Sequence, residues 1–336
     1  MEIPYVCPYC KGDLSKEPKA YFCHQCSRKY PVVLDIPDFR VFADPYVSVE
    51  DEYRKARAIT ENYDQMSFRE LVAHYWNLTP GVPESLKHEF IRLALNKRDQ
   101  SLNTWDTIES IIGQSQRDTL LEVGCSTAGF LAAVSPAVTH GVGVDIAFRW
   151  LVIARKRLEE SGAKNVTLVC ACAEFLPFPA DVFDYVAAED VLDHTKDQRA
   201  FVGESARVLK PETGTFYIST PNRYSLGPDP HVWVWGVGYL PARFRDNYVR
   251  WRKGVPYGPI RPVSYARLRS LLRSVGLHQF RTVLPDLRGL DLQKLSRWRR
   301  IQVRAYELIR GIPLLRGALR LIGPSFQVVC HKTPAN

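Results

Sequence analysis

Four cysteines stand in two C-x-x-C pairs, Cys7 with Cys10 and Cys23 with Cys26, twelve residues apart. That spacing suits four thiolates around one tetrahedral zinc ion, and four sulfur ligands leave no position open to water or substrate, so the expected ion is structural. Two isolated redox dithiols explain the spacing less well. Further on, Glu122-Val123-Gly124-Cys125-Ser126 sets an acid and a glycine ahead of small residues that end at Gly129. Glycine lets the backbone turn sharply and lets a ligand approach, and the amides of Cys125 to Gly129 are expected to face that ligand. Gly124, Ser126 and Gly129 fit a G-x-G-x-x-G cradle with one glycine replaced. About twenty residues on, Asp145 can accept both hydrogen bonds of a ribose diol. Proton chemistry has its candidates in Asp190-Val191-Leu192-Asp193-His194 and in His231 of a proline-rich loop. Histidine titrates near neutral pH, so His194 and His231 are candidate bases, with Asp190 or Asp193 to orient the first.

These residues need strands and helices to bring them together. The apolar pattern predicts strands at Thr119–Val123, Gly141–Asp145, Asn165–Cys170 and Val182–Ala187, with helices at Phe130–Ser135 and Phe148–Ser161. Such alternation implies an α/β fold with a parallel sheet and right-handed crossovers, whose ligands bind at the carboxyl ends of the strands. That rule gathers Glu122, Gly124, Asp145, Ala173, Glu174 and the segment after Ala188 around one cleft. Residues 51–116 read as a charged helical cap, broken at Thr79-Pro80-Gly81-Val82-Pro83. His74 and His88 fall on its helices as packing or surface residues. Downstream, Ser264 and Gly276 bracket a helix as N-cap and C-terminal glycine, and residues 326–331 read as a closing strand.

In order along the chain, Glu122 to Gly129, Asp145, Ala173-Glu174-Phe175-Leu176-Pro177-Phe178, Phe183-Asp184-Tyr185-Val186, Asp190 to His194 and Arg207-Val208-Leu209-Lys210-Pro211 resemble the Rossmann-like, class I S-adenosylmethionine-dependent methyltransferases of the type 11 and ubiquinone–menaquinone kind. The resemblance covers roughly residues 100–222. It implies a cofactor held by Glu122, Gly124, Cys125, Ser126, Gly129, Asp145, Ile146, Ala173, Glu174 and Glu189, with Tyr63 closing over it from the cap. Two of the family's motif glycines fall on Ser126 and Ala128, and its adenine-binding acid falls on Cys172, which removes one hydrogen bond, about 0.5–1.5 kcal/mol net. The resemblance places Asp190 to His194 where the sulfonium and the acceptor meet, and Asn222, Arg223 and Tyr224 where the acceptor pocket is completed. The segment around Tyr30-Pro31-Val32-Val33-Leu34-Asp35-Ile36-Pro37 is similar to the end of the small zinc-ribbon activator of translation-related methyltransferases, here fused in cis as residues 1–42. The remaining divisions are a core over 117–222 and an acceptor-side region over 223–336.

The chain has 336 residues and a net charge of +9, but the basic charge is concentrated at one end. Residues 223–336 hold 21 of the 45 Lys and Arg but only 5 of the 36 Asp and Glu, a net of +16. Such a block attracts polyanions, whether a phosphate-bearing substrate, RNA or an anionic membrane. Within it, Trp233, Trp235, Tyr239, Phe244, Tyr248 and Trp251 interleave with arginines, an arrangement suited to stacking on sugars or bases or to resting at a bilayer interface. The absence of a long apolar run or an apolar leader makes cytoplasmic residence the expectation, with peripheral membrane contact open. The residues favour a methyltransferase acting on a hydroxyl of a glycan, lipid-linked molecule or secondary metabolite. An RNA methyltransferase and a non-catalytic partner module remain the alternatives. Neither the oligomeric state nor the atom methylated is legible.

Overall fold

The computed structural model describes residues 3–112, 119–285 and 297–332. Residues 113–116 of the expected cap, 117–118 of the core and the ends of the first and last divisions (1–2 and 333–336), with 286–296 of the acceptor-side region, lie outside the described residues.

The chain begins as a small antiparallel sheet of β1 (Leu14–Glu17), β2 (Ala20–Cys23), β3 (Arg28–Val33) and β4 (Ile36–Pro37). The helices α1 (Val49–Glu61), α2 (Phe68–Asn77) and α3 (Glu84–Ile112) follow. Ser67 starts α2 with a reciprocal capping box, its hydroxyl on the Glu70 amide and the Glu70 carboxylate on its own amide. The main domain then alternates: β5 (Thr119–Val123), α4 (Gly129–Val134), β6 (His140–Asp145), α5 (Phe148–Ser161), β7 (Val166–Cys170), β8 (Tyr185–Glu189), α6 (Gln198–Val208) and β9 (Thr215–Pro221). After an insertion carrying α7 (Ala242–Lys253) come α8 (Tyr265–Arg273), β10 (Gln279–Val283), α9 (Arg297–Gly311), α10 (Arg316–Ile322) and β11 (Ser325–His331). Ser264 caps α8 by accepting the Arg267 amide at 3.3 Å.

The seven-stranded sheet has the order β10-β11-β9-β8-β5-β6-β7, with β11 antiparallel to both neighbours. Strand order reverses beside β5, because β6 lies on one side and β8 on the other, and that switch point opens a crevice at the carboxyl ends. Alternate residues of each strand serve opposite cores, as the two-residue period requires. Leu121, Val123, Val186 and Ile218 face α6, α8 and the small N-terminal sheet, whereas Leu120, Tyr185, Ala187 and Tyr217 face α1 to α5.

The cysteine-bearing sheet is built into the first of these cores. Ile3, Cys7, Tyr21, Tyr30 and Phe39 share it with Phe178 and Phe183, and the Val6 amide donates to the Pro177 carbonyl at 3.0 Å. The chain leaving β4 runs beside the outer strand β7, where the Phe39 amide donates to the Cys170 carbonyl at 2.7 Å. This contact covers part of an edge that would otherwise present unpaired backbone groups. On the opposite face, buried Arg149 of α5 binds Asp44 at 2.8 Å and Glu52 of α1, with Tyr75 of α2 at 3.0 Å. That network fastens the cap to the main domain. Among the described residues, no helix is long and apolar enough to cross a membrane.

Candidate active site

Backbone geometry shapes the floor of the crevice. Gly124 has φ +74°, and a Cβ there would stand 2.2 Å from Val191 Cγ2 on the facing loop, so glycine serves both the turn and the close approach. Ser126, Ala128 and Asp190 are also left-handed, with φ of 46°, 52° and 57°. Ser126 and Ala128 stand where the resemblance puts glycines, and they keep that backbone at a cost of about 1–2 kcal/mol each. The amides behave differently from expectation. Gly124 and Cys125 both donate to the Val144 carbonyl, at 2.7 and 3.0 Å, and Ala128 donates to the Cys125 carbonyl at 2.7 Å. Ser126 donates to Asp145 Oδ2 at 2.7 Å. The loop therefore offers shape more than a ring of outward N–H groups, and the Cys125 side chain is buried. Gly129 opens α4, where a Cβ would press on Lys97 and Arg157.

Carboxylates line the walls. Asp145, at the end of β6, accepts from Ser126 and from Ala147 at 2.8 Å. Burial lifts its carboxyl to about 6, against those two amide donors. Glu122 is buried on β5 and accepts the Leu131 amide at 3.3 Å. Burial and then the charge of Glu189 push its pKa well above the usual carboxylate range. Lys97 of α3 enters this acidic wall with Nζ 3.1 Å from Glu189 Oε2. The acid-lined space suits the cationic end of a ligand, and Asp145 suits a diol. At the exit of β7, Cys172 Sγ donates to the Phe42 carbonyl at 3.5 Å, so the strap leaving the small sheet closes the side where Ile146 and Ala173 also lie.

A polar cluster stands beyond Asp190. Asp193 is fully buried, and His231 Nε2 lies 3.0 Å from its Oδ2. His194 Nε2 lies 3.1 Å from His231 Nε2 and 4.0 Å from the same carboxylate oxygen. The other ring nitrogens are tied down. His231 Nδ1 is 3.2 Å from Asp229 Oδ1, which Tyr257 supports by donating to Oδ2 at 2.7 Å; His194 Nδ1 is 2.8 Å from the Tyr46 hydroxyl. Burial lowers the pKa of His194. Burial also opposes the charged form of His231, but Asp193 and Asp229 outweigh it and raise the pKa to about 10. His231 arrives on the insertion, which leaves the sheet at Asn222, bridges back at Val263 and is pinned where the Arg261 amide donates to the Asp193 carbonyl at 2.7 Å.

Four expected contacts are placed elsewhere or committed to the fold. The Tyr63 ring lies under Arg155 and Lys156, with Lys156 Nζ on its carbonyl at 2.9 Å, about two turns along α5 from the crevice. Tyr46, on the strap ahead of α1, is the tyrosine that reaches the site. Glu174 accepts the Lys196 amide at 2.7 Å and the Asp197 amide at 3.3 Å, so it holds the approach to α6. Asn222 is buried and donates to the Leu321 and Gly323 carbonyls, both at 2.9 Å, while accepting the Tyr224 amide. It closes the end of α10. Arg223 Nε donates to the Gly238 carbonyl at 2.9 Å, and its guanidinium rests beside the ring of Tyr224. Lys97, Tyr46 and Asp229 carried no sequence signal as site residues.

At the other end of the molecule, Cys7 Sγ lies 3.6 Å from Cys26 Sγ, and Cys10 Sγ lies 3.5 Å from Cys23 Sγ. All four sulfurs fall within 4.8 Å of one another, and none is in a disulfide. Sulfurs at about 2.3 Å from one tetrahedral ion stand ~3.8 Å apart, so the donor set and its size fit zinc.

Residues 121–218 match the family model described as a methyltransferase domain. A Bacillus subtilis protein named uncharacterized methyltransferase YcgJ is 36% identical over 99 residues, 30% of this chain and 39% of its own length. A demethylmenaquinone methyltransferase of Anoxybacillus flavithermus is 35% identical over 110 residues, 32% and 46% of the two chains. A solved complex between the Haloferax volcanii Trm112 methyltransferase activator and a methyltransferase aligns at 18% identity, covering 72% of this chain and 94% of that one with a TM-score of 0.49. The matched stretches span less than half the length of the two curated relatives. The stretch that matches the methyltransferase-domain model runs through β5 to β9 of the α/β sheet.

Proposed function

We propose that the chain is an S-adenosylmethionine-dependent methyltransferase that methylates a hydroxyl, and that its N-terminal ribbon holds a structural zinc ion. The observation that carries this reading is the placement of Asp193, His194 and His231 beside the acid-lined crevice of a methyltransferase domain. When bound, S-adenosylmethionine supplies a methyl group on a positively charged sulfur. The chain has to align the acceptor, exclude water and take up one proton. Asp145 would hold the ribose diol, and Glu122 and Glu189 would face the cationic amino-acid end. The proton given up by the acceptor hydroxyl would pass to the Asp193, His194 and His231 cluster, in which His194, its pKa lowered by burial, is the neutral imidazole. A glycan, a lipid-linked molecule or a secondary metabolite supplies the hydroxyl. A cavity of about 580 Å³ beside the insertion, lined by Trp233, Trp235, Trp298, Arg252 and Lys253, favours an acceptor with an apolar or anionic extension. The basic, aromatic C-terminal surface is proposed to rest on anionic membrane.

Calorimetric titration of zinc-loaded protein with S-adenosylmethionine and S-adenosylhomocysteine tests the cofactor assignment. Binding that Asp145→Ala weakens at least tenfold is the expected result. No binding of either compound would overturn it in favour of a non-catalytic partner module.

A further inference from the structure

We infer that Asp193, His194 and His231 form a binding site for one divalent metal ion at the acceptor end of the crevice. This deepens the methyltransferase reading above and rests on it for the role of the ion, though not for its binding. Three ligand atoms converge there, with His231 Nε2 3.0 Å from Asp193 Oδ2 and 3.1 Å from His194 Nε2. The third separation, between His194 Nε2 and Asp193 Oδ2, is 4.0 Å. Donors about 2.0–2.2 Å from a common ion stand about 3–4 Å apart, so the triangle has the right size. Asp193 is fully buried; its Oδ2 is met by His231 Nε2 at 3.0 Å, but its Oδ1 has no hydrogen-bond partner. A buried carboxylate oxygen without a donor is costly unless a cation answers it.

Both imidazoles are prepared as ligands. A histidine ligand characteristically turns one nitrogen to the ion while the other is fixed by a carboxylate or other polar group. His231 Nδ1 has Asp229, itself held by Tyr257, and His194 Nδ1 has Tyr46. A hydrogen-bonded cluster of the two histidines and Asp193 Oδ2 accounts for the 3.0 and 3.1 Å contacts but leaves Asp193 Oδ1 unanswered. Two imidazoles and one carboxylate leave coordination positions free, as in open transition-metal sites. An ion held there would draw an acceptor hydroxyl toward it and ease loss of the hydroxyl proton; with both imidazoles committed to the ion, Asp190, exposed alongside, would take that proton in their place. The acceptors favoured are those with a second oxygen next to the methylated one, which can share the ion.

The test is titration with Mn2+ of protein carrying one equivalent of zinc, enough for the four cysteines and no more, with free ion read by electron paramagnetic resonance. The wild-type chain is expected to bind one Mn2+, and His231→Ala to weaken it by about 100-fold or more, since even groups that only support a ligand are worth 10- to 100-fold. Asp193→Asn should do the same. If that buried variant unfolds by near-UV circular dichroism, His194→Gln replaces it. No Mn2+ bound by the wild type, or equal binding by folded His231→Ala, overturns the site. Calorimetry with S-adenosylmethionine on the same samples separates the two readings. Cofactor binding without Mn2+ removes the metal site alone, whereas Mn2+ binding without cofactor removes the methyltransferase reading alone.

Discussion

Asp145 gives the crevice its pH dependence. Burial raises its carboxyl to about 6; on the proposed reading a ribose diol bonds to the ionised form, which couples cofactor binding to loss of that proton. Affinity should be full above about pH 6 and fall below it, whereas Asp145→Asn should bind roughly 10- to 100-fold more weakly with no inflection near 6, the loss expected for hydrogen bonds to a charged group. Calorimetry between pH 5 and 8 checks this. Glu174 tests the opposite assignment. Its carboxylate takes two backbone amides, so Glu174→Ala should lower stability by about 1–3 kcal/mol in denaturant unfolding and leave cofactor affinity within about twofold. Local chemistry marked Asp145 and the glycine turn, because spacing along one strand-turn-helix suffices to find them. It could not mark Lys97 or Tyr46, which reach the crevice only through packing of the cap and of the strap before it against the sheet. Polar residues misled the sequence reading in Asn222: a side chain able to bond substrate is equally able to close the end of α10.

The regular elements of the main domain were legible because a half-buried strand and an amphipathic helix write their periods into the sequence. Expected and observed bounds coincide for β5 and α5, whereas β8 begins three residues later and ends two residues later than the pattern implied. The β10 strand escaped because only three of its five residues are even partly buried, leaving little alternation to read. Placement of the ribbon was not legible either. Its spacing pointed to a four-cysteine cluster, which the fold assembles, but gave no hint that Tyr21, Tyr30 and Phe39 complete the core around Phe178 and Phe183. One consequence follows for stability. Stripping the ion with a chelator should lower the melting temperature of the whole chain in a single transition, since the two parts share apolar surface. Scanning calorimetry would show a separate early ribbon transition if that coupling is absent.

The charge and the exposed apolar groups of the whole molecule point the same way. Trp251 and Trp298 are each 75% exposed and Leu314 is 94% exposed, within the region that carries a net +16. Aromatic and leucine side chains among arginines suit the boundary between lipid headgroups and acyl chains. Sedimentation with vesicles should show binding to anionic but not neutral phospholipid, weakening as salt rises. Changing both Trp251 and Trp298 to alanine should reduce the bound fraction several-fold. Equal binding to neutral vesicles, or none to either, would count against membrane contact.

The insertion has an architectural consequence of its own. Its two ends meet as paired backbone at Asn222 and Val263, so the intervening chain is a loop hung from a closed clasp, with its own small core of Val232, Val234, Val237, Val249, Tyr257 and Ile260. Replacing about forty loop residues with about four changes the entropy of closing such a clasp by only ~2 kcal/mol. The crevice floor comes from β5, β6 and β8, whereas His231 and Asp229 come from the loop. On the proposed reading, one scaffold exchanges its acceptor chemistry by trading a single cassette, without redesigning the part that would grip the methyl donor.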